Sequence, residues 1–208
     1  PVAAAAAGEL APRLPQDAGN VSIAGDALRL AGALHVQAQS GGRGAQLAVS
    51  APQLHISDAA AAAQDEPSAE VTLDTAALSA YGADTLVLGA GAQRGEPGQL
   101  ALGKVAQNVS LSGATALSAG NVLLVAQNQV EVGAGTQVLA DSAHPRASGA
   151  QTIAVNGDGA ALWVSGHEAL PNLVRTGASA AGSAPQGELN IADAARLAGA
   201  GVLFDGTR

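Results

Sequence analysis

The sequence predicts an all-β solenoid built from short parallel strands. The main observation is that residues 109–111, 122–125 and 130–132 form three short apolar runs, each directly preceded by Asn or Gln. Apolar and polar residues alternate in the first and last of these runs, which is typical of strands. The gaps are too short for crossover helices, and no Asn-Gly or Asp-Gly pair closes a tight hairpin between the runs. A chain that keeps turning in the same direction, as in a solenoid, meets these constraints.

The composition supports a narrow core of small aliphatic side chains. The chain has 208 residues, of which 48% are hydrophobic, and its only aromatic residues are Tyr81, Trp163 and Phe204. A globular core of this size normally uses many aromatic side chains, whereas a stack of Val, Leu, Ile and Ala does not need them. The 27 glycines fit a chain with many tight corners better than one with long helices.

The charge pattern excludes several classes of partner. The net charge is −8, and the nine Lys and Arg residues form no basic cluster, so we expect no nucleic-acid partner. No window approaches the roughly 20 apolar residues of a membrane span, so we expect no membrane insertion. Without a Met or a recognisable signal sequence, we expect an internal piece of a longer polypeptide. The absence of Cys suits export through a pore, because a disulfide formed too early would block passage.

Taken in order, residues 1–19 are an irregular lead-in rich in Ala and Pro, and residues 20–208 are predicted to form one β-helical segment. A unit of the form x-Leu-x-[Leu/Val/Ile] recurs through the first half of this segment and marks its strands. Besides the three central runs, the predicted strands cover residues 20–23, 27–30, 33–36, 46–49, 53–56, 70–73, 85–88, 151–155, 161–164, 188–191 and 202–204. The side chains predicted to point inward are those of Val109, Leu111, Val122, Leu124, Val130, Val132 and Val138, whereas Glu131 points outward.

Irregular insertions interrupt the predicted strands. Residues 75–81 are read as a single helical turn or a corner. The sequence Asn156-Gly-Asp-Gly indicates a hairpin, because Gly at two positions tolerates positive φ. Loops are expected where polar and small residues collect, and any recognition is expected to reside in them. The predicted loops cover residues 58–69, 89–98, 141–149 and 176–187.

Four histidines are candidates for metal ligands or a general base: His35, His55, His144 and His167. His35 and His55 each lie between two apolar strand residues, so alternation places them on an outward face. A zinc site needs three or four converging ligands, and nothing local supplies the others. The turn at 156–159 resembles the start of a calcium loop but lacks the acidic pattern that completes one. We therefore expect exposed strand histidines, a tight turn and no metal site.

The carboxylates Asp26, Asp74, Asp84 and Glu131 are isolated in the sequence, although a solenoid can stack residues from different coils. Lys104 is the only lysine, so a lyase would have few groups for proton abstraction. No nucleophile elbow, phosphate loop or Cys-His pair is present. The three aromatic residues lie far apart and are read as core or corner fillers rather than a platform for sugars. We therefore predict no catalytic residues, no cofactor and no enzymatic activity.

Two longer segments carry a resemblance to a known family. Residues 73–89, Leu-Asp-Thr-Ala-Ala-Leu-Ser-Ala-Tyr-Gly-Ala-Asp-Thr-Leu-Val-Leu-Gly, are one of them. The other is 156–165, Asn-Gly-Asp-Gly-Ala-Ala-Leu-Trp-Val-Ser, followed by Asn-Leu-Val-Arg-Thr-Gly at 172–177. Both resemble segments of outer-membrane exoproteins of the filamentous haemagglutinin family. The likeness covers roughly residues 20–208.

The resemblance implies a very large bacterial surface protein with a shaft that is a right-handed parallel β-helix. Such proteins are exported by two-partner secretion through a dedicated outer-membrane barrel, and some accompany cell-surface signalling systems. Their usual roles are adhesion, biofilm formation and contact with other cells, and the family offers no catalytic motif to carry over. The amino-terminal secretion domain of the family is not recognisable in this sequence.

We therefore expect a structural shaft segment of a secreted, adhesin-like exoprotein at the bacterial surface. Its partners would be the secretion barrel during export and glycans or proteins on host or bacterial surfaces. The alternative is a β-helical carbohydrate-active enzyme or a carbohydrate-binding module. At least three acidic or basic side chains stacked in a groove would favour the enzyme. A weakly charged surface with ladders of Ser, Thr, Gln and Asn would favour the shaft.

Overall fold

A computed structural model describes residues 16–28, 30, 34, 38–58, 70–94, 98–114, 116–142, 151–177 and 187–207. These residues form an all-β protein with one short helix. The elements are β1 (Asn20–Ala24), β2 (Gln46–Ser50), β3 (Gln53–Ser57), β4 (Val71–Asp74), α1 (Thr75–Ala80), β5 (Thr85–Leu88), β6 (Gly91–Arg94), β7 (Gln99–Gly103), β8 (Ala106–Leu111), β9 (Ala116–Ala119), β10 (Asn121–Val132), β11 (Gln137–Ala140), β12 (Thr152–Asn156), β13 (Ala160–Ser165), β14 (Asn172–Thr176), β15 (Glu188–Ile191), β16 (Arg196–Ala198) and β17 (Gly201–Gly206).

The largest sheet is mainly parallel and curls like half of a barrel. Strand β10 belongs to two parts of this sheet, which we call limbs. Its residues 121–126 and 129–132 pair with different neighbours, and the register shifts between Ala126 and Gln129. We call the strands β1, β2, β5, the first half of β10, β13 and β17 the first limb. The second limb consists of β4, β3, β8, the second half of β10 and β15. The predicted parallel, solenoid-like character is therefore confirmed.

Strands β9, β11 and β16 form a three-stranded parallel sheet, and in the chain they follow β8, β10 and β15 of the second limb. Helix α1 lies beside β9, where the Ser118 N–H donates to the Ser79 Oγ at 3.0 Å. The helix begins after Asp74, whose side chain accepts the Ala77 N–H at 2.9 Å as an N-cap. Of the two readings of residues 75–81, the helical turn is therefore confirmed.

The inner core consists of aliphatic stacks, to which each strand of the two limbs and of the three-stranded sheet contributes a side chain. One stack runs through Leu54, Val109 and Val130 on neighbouring strands of the second limb. Complete burial of each such side chain stabilises the fold by about 1.5–3 kcal/mol. The predicted orientation is confirmed for all seven side chains, which are at most 1% exposed: Val109, Leu111, Val122, Leu124, Val130, Val132 and Val138. Glu131 is exposed, as the alternation predicts.

A four-stranded sheet, in the order β14-β12-β7-β6, covers the outward side of the first limb. Outward side chains of the first limb, such as Val87, Leu123 and Trp163, pack there against Leu100 and Ile153. The first limb is therefore apolar on both faces, which explains the unbroken apolar run at 122–125. We call this second apolar layer the outer core.

The prediction of separate strands at 122–125 and 130–132 is wrong, because both runs belong to the single bent strand β10. The hairpin around Asn156-Gly-Asp-Gly is also wrong. Strand β12 pairs with β7 and β14 in the four-stranded sheet, whereas β13 pairs antiparallel with β10 and β17. The turn therefore carries the chain from one sheet into another. A Cβ atom on Gly159, at φ 153°, would lie 2.4 Å from the Ala126 carbonyl oxygen.

The loop predicted at 89–98 contains strand β6, which pairs antiparallel with β7. The strand predicted at 27–30 is wrong for residues 27, 28 and 30, which are not in strand conformation. Most of the predicted strand at 33–36 lies outside the described residues, as do most of the loops at 58–69, 141–149 and 176–187 and nearly all of the lead-in at 1–19.

Candidate functional site

The outward face of the second limb carries two rows of mainly uncharged polar side chains, which we call the polar ladder. Residues in one row are register partners on neighbouring strands. Because neighbouring strands lie about 4.8 Å apart, the rows repeat hydrogen-bonding groups at that spacing. The first row is Thr72, His55, Ser110, Glu131 and Asn190, and the second is Gln53, Asn108, Gln129 and Glu188.

Side chains of the polar ladder bind one another. The Asn108 Nδ2 donates to the Gln53 Oε1 at 2.8 Å. The Nδ1 of His55 lies 2.8 Å from the Ser110 Oγ, and its Nε2 lies 3.0 Å from the Ser112 Oγ. A neutral imidazole has one donor and one acceptor, and hydroxyls can match both. His55 therefore lies on an outward face as predicted, and its ring nitrogens contact hydroxyls instead of the carboxylate that orients the base in a catalytic triad.

Of the other three histidines, the structure describes only His167. His167 is half-buried, and its backbone N–H donates to the Ser165 Oγ at 3.0 Å. His35 and His144 lie outside the described residues. In the part of the chain that the structure describes, no group of three or more His, Cys, Asp or Glu residues is placed to hold a metal ion.

The four carboxylates singled out in the sequence lie at four different places. Asp74 caps helix α1, Glu131 belongs to the polar ladder, and Asp26 and Asp84 each line a different groove. The structure instead places Asp84 in a groove with Asp141, which the sequence did not single out. The sequence does not indicate that these two residues lie close together, because their proximity depends on how successive turns of the chain stack.

The larger groove lies at the corner between the three-stranded sheet and the first limb and has a volume of about 600 Å³. Small residues form much of its wall, and Ser79, Asp84, Ser118 and Asp141 supply its hydroxyls and carboxylates. Gly120 is required here, because a Cβ atom would lie 2.4 Å from the Asp84 Oδ1. The same Asp84 oxygen accepts a hydrogen bond from the Ser142 hydroxyl. Chemically, the groove can accept hydrogen bonds from a polyhydroxylated ligand.

A second groove, which we call the small corner groove, lies where the chain passes from the first limb to the second. Its volume is about 360 Å³. Its polar side chains are those of Asp26, Ser50, Lys104, Gln107 and Gln127. Lys104 has φ 50°, a left-handed conformation that is uncommon for residues other than Gly.

The aromatic residues do not form a platform. Trp163 is buried in the outer core, and Tyr81 packs partly buried against the inner core at the end of α1. Phe204 is 55% exposed on the last strand of the first limb. The prediction of core or corner fillers is confirmed for Trp163 and Tyr81, whereas Phe204 differs because β17 has a neighbouring strand on only one side.

Comparison with protein-family models, characterised proteins and solved structures finds no match to this chain. Within the described ranges, no helix has the length and apolar character needed to cross a membrane.

Proposed function

We propose that this chain is a structural shaft segment of a large secreted bacterial surface exoprotein of the filamentous haemagglutinin type, contributing to adhesion or cell contact. The observation that carries the proposal is the polar ladder above continuous aliphatic stacks. Its nine residues are mainly Thr, Ser, Asn and Gln, with Glu131 and Glu188 as its only carboxylates. In a shaft, each turn of the chain is stabilised chiefly by packing against the neighbouring turns. Its surface is therefore expected to repeat from strand to strand and to carry little charge.

The proposal includes a finer description of the fold, in which the strands close into a right-handed parallel β-helix. The support is that side chains from both limbs and from the three-stranded sheet belong to one inner core, among them Leu54, Leu86, Leu117 and Val138. Three sheet faces around one core are the arrangement that such a β-helix requires.

The proposed route to the cell surface is two-partner secretion through an outer-membrane barrel. Its support is chemical, because a chain without Cys cannot form a disulfide that would block passage in the unfolded state. Surface glycans or proteins would then be the partners after export.

Surface labelling of the bacterium that encodes this chain tests the proposal. Antibodies raised against the chain should label intact cells, and external protease should remove the signal. Deletion of the partner barrel gene should leave the protein inside the cell. An undiminished signal on the surface of barrel-deleted cells would exclude two-partner secretion, and a protein found only in the cytoplasm would exclude the exoprotein role.

The alternative, a carbohydrate-active enzyme or binding module, is favoured by the larger groove with Asp84 and Asp141. Paired carboxylates can serve as acid and base in glycoside hydrolysis. The test is to incubate the protein and its Asp84→Asn and Asp141→Asn variants with pectin and other plant and bacterial polysaccharides. Release of reducing ends that both substitutions abolish would establish the enzyme, and the absence of turnover with all of them favours the shaft.

A further inference from the structure

Successive passes of the chain build the small corner groove at equivalent positions. Ala24 ends β1 and Gly25 follows it, Ser50 ends β2 and is followed by Ala51 and Pro52, Lys104 lies between β7 and β8, and Gln127 lies at the bend of β10. The groove therefore runs across several strands along the corner between the limbs. Its volume of about 360 Å³ lies within the range of small-molecule sites.

Lys104 is the unusual residue of this groove. It is the only lysine in the chain, and it occupies a left-handed conformation with φ 50° that only Gly adopts without strain. Its carbonyl oxygen accepts a hydrogen bond of 2.5 Å from the Ser50 hydroxyl, which holds this backbone in place. The side chain is exposed and forms no ion pair with any residue in the described ranges. Strained backbone conformations cluster at functional sites, and at Lys104 such a conformation coincides with an unpaired cation in a groove.

The neighbouring side chains complement this cation. The Gln107 Oε1 accepts a hydrogen bond from the Gln53 Nε2 at 2.9 Å, so the amide group of Gln107 remains available to donate. Gln127 is exposed and supplies a second carboxamide. The exposed carboxylate of Asp26 supplies acceptors for hydroxyl groups. The groove thus combines one ammonium group, two carboxamides and one carboxylate.

We propose that the small corner groove binds a saccharide unit that carries one carboxylate, such as a uronic acid residue of a surface glycan. Lys104 binds the carboxylate, Gln107 and Gln127 donate to ring or carboxylate oxygens, and Asp26 accepts from hydroxyls. Because the net charge of the chain is −8, a polyanion would be repelled, whereas one carboxylate beside one lysine is not. This rests on the proposed function, in which surface glycans are partners, and it names the site and the class of saccharide.

The test compares methyl glucuronoside with methyl glucoside, which differ only in the carboxylate, by ligand-observed NMR and by isothermal titration at low salt. The glucuronoside should bind more tightly, and added salt should weaken its binding. Lys104→Gly should weaken it by about tenfold or more, because a charged hydrogen bond is lost. This variant should fold, because Gly adopts φ 50° without strain.

Two further variants control the experiment. Gln127→Glu adds a like charge at an exposed position and should also weaken binding of the glucuronoside. Arg196→Ala removes an exposed cation from β16, outside the groove, and should leave binding unchanged. Equal binding of the two sugars, no binding at millimolar concentration, or unchanged binding by a folded Lys104→Gly variant would overturn the proposal. None of these results bears on surface export, which is tested separately.

Discussion

Leu124 and Ser110 represent the inward and outward positions on which this fold depends. Leu124 is fully buried between Leu88 and Leu162 of the neighbouring strands, whereas the half-buried Ser110 contacts His55 on the outward face. Leu124→Ala should lower the free energy of unfolding by about 2–5 kcal/mol, because stacked neighbours cannot collapse into the cavity. Ser110→Ala should lower it by only about 1 kcal/mol, because it removes one hydrogen bond at a half-buried position. Urea denaturation measures both, and equal losses would refute the assigned orientations.

Trp163 contains a buried polar group that is not satisfied. Its indole is 1% exposed in the outer core, and its Nε1–H has no acceptor among the described residues. Trp163→Phe removes this donor and keeps most of the apolar volume, so the free energy of unfolding should change by less than about 1 kcal/mol. Trp163→Ala should lose about 3–5 kcal/mol through the cavity it leaves. A Phe variant as unstable as the Ala variant would show that the indole N–H is bound.

Asp17 titrates below its ordinary range. The Arg43 side chain binds it, with 2.6 Å between the Nη2 and Oδ2 atoms, and this hydrogen bond lowers the pKa of Asp17 below 3.8. A depressed pKa contributes stability above the ordinary value and loses it as the pH falls through the folded-state value. NMR titration should therefore give a midpoint below 3.8, and Arg43→Gln should raise it. An unchanged midpoint in the variant would contradict this cause.

At the residue scale, the alternation of apolar and polar residues identified the inward side chains of the inner core. In a strand with one buried and one solvent-exposed face, apolar and polar side chains alternate strictly. It did not find the partners in the grooves. Asp84 and Asp141 lie far apart in the sequence, and their proximity depends on how the passes stack. The sequence distinguishes Lys104 only as the single lysine. Its left-handed conformation could not be predicted, because the identity of a side chain does not determine the φ angle.

At the scale of elements, the four-stranded sheet is tied to the first limb by Arg175 of β14. Its Nε donates to the Asp205 Oδ2 of β17 at 2.7 Å, and its Nη1 and Nη2 donate to the carbonyls of Gly157 and Gly159 at 3.2 and 3.1 Å. The Arg175 side chain is 10% exposed, so water compensates poorly when these bonds are lost. These hydrogen bonds join β14, β17 and the turn after β12, and we call Arg175 with its three partners the clamp.

Arg175→Met should lower the free energy of unfolding by about 2 kcal/mol. This is below the 3–5 kcal/mol for a fully buried pair, because the Asp205 side chain is 31% exposed and partly screened. Asp205→Asn keeps an acceptor oxygen and should lose about 1 kcal/mol or less. Hydrogen exchange should show faster opening of β14 in the Met variant. Exchange at wild-type rates throughout β14 would show that the clamp is not what holds the sheet.

Strands with one buried and one solvent-exposed face, such as β3 and β15, were predictable from the sequence. Strands β6, β7 and β14 of the four-stranded sheet were missed because they carry short, Gly-containing or weakly apolar segments. The bend of β10 was missed for another reason. The polar residues at 127–129 indicate a break between strands, yet one strand continues through the bend with a shift of register between Ala126 and Gln129.

At the scale of the whole molecule, the fold depends on parallel strands that stack in register. The spacing of the apolar runs was sufficient to predict a solenoid-like fold, because short gaps leave few other ways to pair such strands. It could not predict that a second sheet would cover one limb. The grooves at the corners and the polar ladder both follow from the parallel register of the strands.

Cysteine cross-linking across β8 and β10 tests the register directly, because the chain has no native Cys. In the parallel register, Ser110 pairs with Glu131 and Asn108 with Gln129. Cysteines at either pair lie about 4.8 Å apart and can form a disulfide, whereas the crossed pairs 108/131 and 110/129 lie about 8 Å apart and cannot. We predict that mild oxidation, followed by mass spectrometry, links both equal-offset pairs and leaves both crossed pairs reduced. Linking of the crossed pairs would show antiparallel strands and would contradict the solenoid.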